Sequence, residues 1–208
     1  MMTRLLLLIG ICWLLTSGRP PAPPSTGDLT VSYTISIRSK RTNKGIAETY
    51  NGGIQTLFAR TGEARLRLVS LMRIQSTFIF LDKEQVKEVV LVKESGASKH
   101  KTVLSPAQWK TYNDKYTGLT CKLSADTVLI LKHLCSKAIL TLKDGRQIIA
   151  WYTPVIQKPI CSLIEPAFSA IPGLVLRYEY TYRKKTISYT ATSIKSDPIG
   201  TAVFNASR

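Results

Sequence analysis

Few residues in this 208-residue chain could carry acid–base, metal or nucleophilic chemistry. His100 and His133 are its only histidines. His133 and Cys135, two apart, would share one face of a strand with Leu129 and Leu131. Two such ligands fall short of the four that a structural zinc site takes. A Cys–His nucleophile pair needs side-chain contact and an orienting third group, and same-face neighbours on a strand do not supply it. Asp126, Asp144 and Glu179 form no carboxylate pair. Asp144 is accounted for by a turn with Gly145, and Glu179 by pairing with Arg177 or Arg183. Asn205-Ala206-Ser207 matches a glycosylation sequon by chance. No glycine-rich phosphate loop and no Gly-x-Ser-x-Gly elbow is present. The expectation is a protein without catalytic residues, metal or cofactor.

A binding surface is the better prospect. Leu174, Leu176, Tyr178, Tyr180 and Tyr182 alternate with Val175, Arg177, Glu179, Thr181 and Arg183, which puts one large apolar stripe on one strand face. That stripe is either ordinary core or the wall of an apolar groove with phenol hydroxyls at its rim. The candidate ligand-binding residues are Leu174, Leu176, Tyr178 and Tyr180. Pro172-Gly173 just before them reads as a type II turn, with Gly173 supplying a positive φ.

The elements that would position this stripe are strands. Residues 29–38 alternate with period two and are rich in β-branched types, a half-buried strand. Short strands follow over 54–60, 64–72, 76–81 and 86–92, with residues 93–100 read as a loop. Ser105 as N-cap and Pro106 at the first helical position fit one short helix over 106–116, with an extended segment as the alternative. Residues 127–134 and 136–143 read either as two strands or as one long bent strand. Asp144-Gly145 is a two-residue hairpin signal, and 146–153 returns. Residues 159–173 form an apolar connection, and 174–183 pairs with 187–192 across a basic tip. About ten short strands and little helix predict a mainly β fold: an antiparallel, strongly curved sheet or open half-barrel with one or two short helices.

The first 18 residues predict where the chain goes. Arg4 precedes an apolar run from Leu5 to Leu15, and Thr16-Ser17-Gly18 are small residues of the type that a signal peptidase cuts after. The run is too short to span a bilayer, which takes about 20 apolar residues. Residues 1–18 are read as a signal peptide, 19–28 as a Pro-rich tether, and 29–208 as a single β-rich domain without a transmembrane segment after cleavage. The expected location is exported, either periplasmic or secreted.

Charge narrows the partners. Twenty-nine Lys and Arg against 13 Asp and Glu give a formal net charge of +16, which attracts anions. Export argues against nucleic acid, so the charge serves either anionic lipid head groups or an anionic envelope polymer, or simply a solubilising surface with no particular partner. The basic clusters Arg38-Ser39-Lys40-Arg41 and Arg183-Lys184-Lys185 look like hairpin tips. Cys121, Cys135 and Cys161 remain after cleavage, allowing one disulfide in any of three pairings or none.

Cys135-Ser136-Lys137-Ala138, Lys143-Asp144-Gly145-Arg146, Ala150-Trp151-Tyr152-Thr153-Pro154 and Ile171-Pro172-Gly173-Leu174-Val175-Leu176-Arg177-Tyr178 occur in that order. That order resembles the GLPGLI-type family of secreted Bacteroidota proteins and its uncharacterised relatives. The resemblance covers residues 127–195 well and 29–92 in strand pattern. It implies an exported envelope protein with an open half-barrel similar to periplasmic lipoprotein carriers, whose concave face holds acyl chains. It brings no catalytic residues. The expected function is binding of an apolar or amphiphilic ligand such as a lipid. The alternative is a structural or interaction module that docks an anionic surface polymer or a protein partner.

Overall fold

The computed structural model describes residues 27–39, 49–157 and 159–206. The expected signal peptide, most of the tether, and Lys40 and Arg41 lie outside the described residues. The strands are β1 (Leu29–Ser39), β2 (Ile54–Arg60), β3 (Glu63–Val69), β4 (Ile74–Asp82), β5 (Gln85–Ser95) and β6 (Ser98–Leu104) in the first half. The second half adds β7 (Thr120–Ile130), β8 (His133–Thr141), β9 (Gln147–Thr153), β10 (Leu174–Tyr182) and β11 (Lys185–Lys195). All eleven lie in one antiparallel sheet of order β6-β5-β4-β3-β2-β1-β11-β10-β9-β8-β7.

Every strand but two therefore pairs with its neighbours in sequence, and β1 pairs with β11. The sheet stays open between β6 and β7. Helix α1 (Pro106–Tyr112) and a 3-10 turn over Asp114–Tyr116 lie in the chain that joins those two edges. Among the described residues the fold is an open, mainly β sheet with two short helices, and most of its strands are those that the alternation of residues predicts. Register shifts at Ser32/Tyr33, Phe80/Leu81, Ser124/Thr127 and Val175/Arg177 add local twist and bend.

One face of the sheet is covered by α2 (Pro159–Ile164), which packs on β2, β3 and β4, while α1 packs on β5 and β6. Ile160 and Ile164 join Tyr33, Leu57, Ile79 and Val89 in one buried cluster. Trp109 Nε1 donates to Leu163 O at 3.2 Å and so ties α1 to α2. We call this the inner face. Its opposite is also covered in part, because Phe78 and Ile79 are adjacent on β4 and both buried. Phe78 clusters there with Val90 and Val92, under the Arg65 guanidinium at 4.7 Å. The Thr201–Phe204 turn packs on β3, with the Arg60 guanidinium 4.6 Å over the Phe204 ring.

Several local expectations need correction. The stretch 127–134 is not one strand: Leu131 and Lys132 both adopt positive φ and turn β7 into β8. Lys83-Glu84 and Arg183-Lys184 make the same two-residue turn without glycine. Such turns match the twist of antiparallel strands, but residues without the usual Asn-Gly signature conceal them. Residues 93–100 are not a loop; β5 and β6 pair up to Ser95 and Ser98, and Gly96 turns the chain. The hairpin at Asp144-Gly145 spans three residues, with Leu142 N donating to Arg146 O and Gly145 N to Leu142 O, both at 2.9 Å. The helix expected over 106–116 ends at Tyr112. Its start is as predicted: Gln108 N donates to Ser105 Oγ at 3.3 Å and Ser105 N to Gln108 Oε1 at 2.8 Å, a capping box. The apolar connection 159–173 contains α2, which the prolines at both ends had masked.

Candidate functional site

β10 and β11 place their aromatic residues side by side on the inner face. Tyr178 pairs with Tyr189 and Tyr180 with Ile187 in the antiparallel register. The Tyr178 and Tyr189 rings stack at 4.4 Å and 9°. Phe168, on the Pro166–Phe168 turn after α2, meets Tyr178 edge-on at 4.9 Å and 61°. Together with Leu66, Ile148 and Tyr180 these rings wall a cavity of about 330 Å³. Lys115 and Arg146 also line it.

Gln55 and Glu165 are its polar components. Gln55 Nε2 donates to Glu165 Oε1 and to Tyr178 Oη, both at 3.4 Å. Burial pushes the Glu165 carboxyl up to about 7, partly offset by the Gln55 hydrogen bond. Burial, and next the nearby Glu165 charge, raise the Tyr178 phenol well above its usual value. Near neutral pH the site thus holds a phenol O–H and a carboxyl that is partly protonated and able to donate.

Past Tyr180 and Tyr189 the cavity adjoins an open groove of about 650 Å³. Ile37, Leu68 and Ile187 give it apolar walls, Tyr50 and Tyr182 add aromatic ones, and Arg183 stands at its edge. On the other side of Glu165 and Phe168 lies a smaller cavity of about 230 Å³, lined by Tyr33, Cys161, Gly173 and Leu174. Tyr33 Oη donates to Val175 O at 2.8 Å at that end.

The four residues expected to line one ligand site are divided. The register shift between Val175 and Arg177 moves the alternation by one residue within β10. Leu174 and Leu176 fall into the cluster around Tyr33 and Leu57, whereas Val175 and Tyr178 join Phe168 and Tyr152. Leu176 is 0% exposed and lines none of the three cavities described above. Tyr178 and Tyr180 do line the larger cavity. The bulge is the physical reason: strict period two cannot cross it. Gln55, Glu165 and Tyr189 were missed. Glu165 left a signal, being the sole acidic residue in the apolar stretch 154–173; Gln55 left none.

The remaining candidates are placed elsewhere. Cys135 is fully buried, its thiol donating to His133 O at 3.5 Å. Burial raises both the Cys135 and Cys121 thiols, the opposite of an activated nucleophile. No disulfide joins Cys121, Cys135 and Cys161. Among the described residues, no three His, Cys, Asp or Glu side chains gather as metal ligands. Asp126 pairs with Lys137 at 2.9 Å and Asp144 with Arg146 at 2.6 Å. Glu179 lies 3.8 Å from Arg177 and 3.6 Å from Arg38; Arg183 instead covers the Tyr182 ring at 5.3 Å. No helix of the described residues is long and apolar enough to cross a membrane.

No family model matches the chain, and no curated protein matches it. Among solved structures, PNGF-II is similar in fold, at 15% identity and a TM-score of 0.50 over 88% of this chain. The chain spans only 30% of that protein's length. Looser likenesses include a DUF1329 family protein from Desulfovibrio piger, at 10% identity and a TM-score of 0.38. That match covers 87% of this chain and 90% of the other. Mycobacterium tuberculosis lipoprotein LppX is similar at 12% identity and a TM-score of 0.32, covering 82% of this chain and 88% of its own.

Proposed function

We propose that the protein acts by binding an amphiphilic, lipid-like ligand in the tyrosine-lined cavity and its adjoining groove. The observation that carries this reading is the shared wall: Tyr180 and Tyr189 line both spaces, so an elongated apolar body has one continuous aromatic surface to lie against. Each buried methylene contributes about 0.8 kcal/mol. Lys115, Arg146, Arg183 and Lys185 line these spaces and attract an anionic head group, a term that salt screens. Gln55 and Glu165 offer hydrogen bonds to a polar group carried deeper into the cavity. An exported protein of the GLPGLI-type group is the setting that the leader-like start and the motif order support.

The second reading is a structural or interaction module for an anionic polymer or a protein. What favours it is the filling of the inner face by α2 and α1, which leaves less open concavity than a bare half-barrel.

Native mass spectrometry of the purified protein, with displacement of a fluorescent fatty acid, tests the first reading. The native protein binds the probe, and Tyr180→Arg loses it while keeping its circular dichroism spectrum. No copurified lipid together with no probe binding by the native protein would leave the module reading ahead.

A further inference from the structure

Two large apolar side chains on the loop that follows groove-lining Leu68 are left in water by the fold. Leu71 is 88% exposed and Met72 is 64% exposed, on the loop between β3 and β4. The backbone of this loop is held on three sides. Ser70 N donates to Arg73 O at 2.9 Å, Leu71 N to Thr49 O at 3.3 Å, and Ser95 Oγ to Met72 O at 3.3 Å. Its exposure is therefore a fixed presentation of two apolar groups, with exposed Arg73 next to them.

The β10–β11 turn stands across the same opening. Leu68, at the end of β3, and Tyr182 and Arg183, at the end of β10, line one groove. Arg183 and Lys184 at that tip are exposed. Strand direction puts both tips at one end of the sheet, since β3 ends and β10 ends there in the antiparallel order. Apolar side chains flanked by cations are suited to a membrane–water boundary. The apolar groups enter below the head groups while Lys and Arg meet anionic ones.

We propose that this end of the protein docks on an anionic lipid bilayer, Leu71 and Met72 entering the boundary and Arg73, Arg183 and Lys184 contacting head groups. The groove mouth then faces the bilayer. That consequence rests on the lipid-binding reading above, because it sets the site against a source of its ligand. The net charge of +16 supplies long-range attraction to such a surface.

Sedimentation of the purified protein with vesicles tests the docking. Two sets are compared: phosphatidylcholine alone, and phosphatidylcholine mixed with phosphatidylglycerol. The protein binds the mixed vesicles, less as salt rises. The pair Leu71→Ser and Met72→Ser weakens binding about ten-fold or more. The pair Arg183→Glu and Lys184→Glu weakens it about five-fold for each cation removed. Both pairs are in exposed tips, and circular dichroism checks that each variant folds. Absence of binding to the mixed vesicles, or binding unaffected by the Leu71/Met72 pair, overturns the proposal. Full release by soluble polyglutamate, with the Leu71/Met72 pair silent, assigns the surface to a polyanion instead. Fluorescent fatty acid is measured on the same samples. Probe binding without vesicle binding sinks the docking and leaves the cavity reading intact; vesicle binding without probe binding does the reverse.

Discussion

Gln55 donates through Nε2 to Glu165 Oε1 at 3.4 Å, linking β2 to the chain that follows α2 on the inner face. The same amide reaches Tyr178 Oη, so the polar part of the cavity is one small network. Burial dominates the Glu165 carboxyl and lifts it from its ordinary 4.5 to about 7, against the smaller lowering by Gln55.

The consequence for stability has a definite sign. Between about 4.5 and about 7 the folded state keeps a proton that the unfolded state releases. This contribution is full below the unfolded value and is lost as pH rises toward 7, by up to about 3 kcal/mol. Glu165→Gln keeps a hydrogen-bonding group and removes the titration. Urea midpoints measured from about pH 5 to about pH 8 therefore fall more steeply for the native protein than for the variant. Parallel profiles would show that Glu165 titrates as an ordinary carboxyl.

The bulge in β10 separates two kinds of residue that look alike in sequence. Leu176 is fully buried, so Leu176→Ala costs about 2–5 kcal/mol with little change in ligand affinity at temperatures where the fold persists. Leu176→Arg leaves an unpaired charge in the core and prevents folding. Tyr180 lines the cavity and its groove, and Tyr180→Ala has the opposite profile, with a modest stability loss and a large loss of probe binding. Urea denaturation and fatty-acid titration on these variants separate the roles. Equal losses of affinity in Leu176→Ala and Tyr180→Ala would put Leu176 back into the ligand wall.

What the sequence made legible was alternation. Leu29 to Ile37, Leu174 to Tyr182 and Ile187 to Ala191 showed their strands because one face is buried and the other wet. Turns formed by Leu131-Lys132 and Arg183-Lys184 adopt a left-handed backbone that neither pair of residue types announces; the first carries no sequence signal and the second only its cluster of charge. The candidate cavity was half legible for the same reason. Tyr178 and Tyr180 stood out as a stripe, but no periodicity reveals a bulge at Leu176 or a contact between Gln55 and Glu165, 110 residues apart. Long-range pairing of polar groups depends on the sheet order, which joins β1 to β11 and only then brings these residues together.

Trp109 controls how the two helices hold each other. Its indole N–H donates to Leu163 O at 3.2 Å, and its ring is buried in the main cluster. Trp109→Phe keeps most of the apolar bulk and removes the donor, for a cost of about 1 kcal/mol. Amides of α2 should exchange faster with solvent in the variant, while those of β1 and β11 keep native protection. Unchanged exchange across α2 would mean that the helix is held by its own apolar face alone.

Two glycines fail for different reasons, and one substitution series distinguishes them. Gly145 sits at φ +80° with no atom within 4 Å of where a Cβ would be. Its requirement is purely conformational, so Gly145→Ala costs about 1–2 kcal/mol and Gly145→Val more. Asn tolerates the left-handed region, and Gly145→Asn should recover most of the loss. Gly173 is different. Its N–H closes a three-residue turn on Ile171 O at 2.9 Å, and its φ of +155° is not that of the type II turn expected from Pro172-Gly173. A Cβ there would lie 2.2 Å from Thr153 O, at the point where β9 and β10 begin to pair. Backbone must move to admit any side chain, so Ala and Asn at position 173 should be equally damaging and should disrupt the Leu174–Thr153 pairing. Thermal unfolding of the four variants Gly145→Ala, Gly145→Asn, Gly173→Ala and Gly173→Asn is the measurement. Rescue by Asn at 173 would show that conformation, not the close approach to Thr153, dictates glycine at that position.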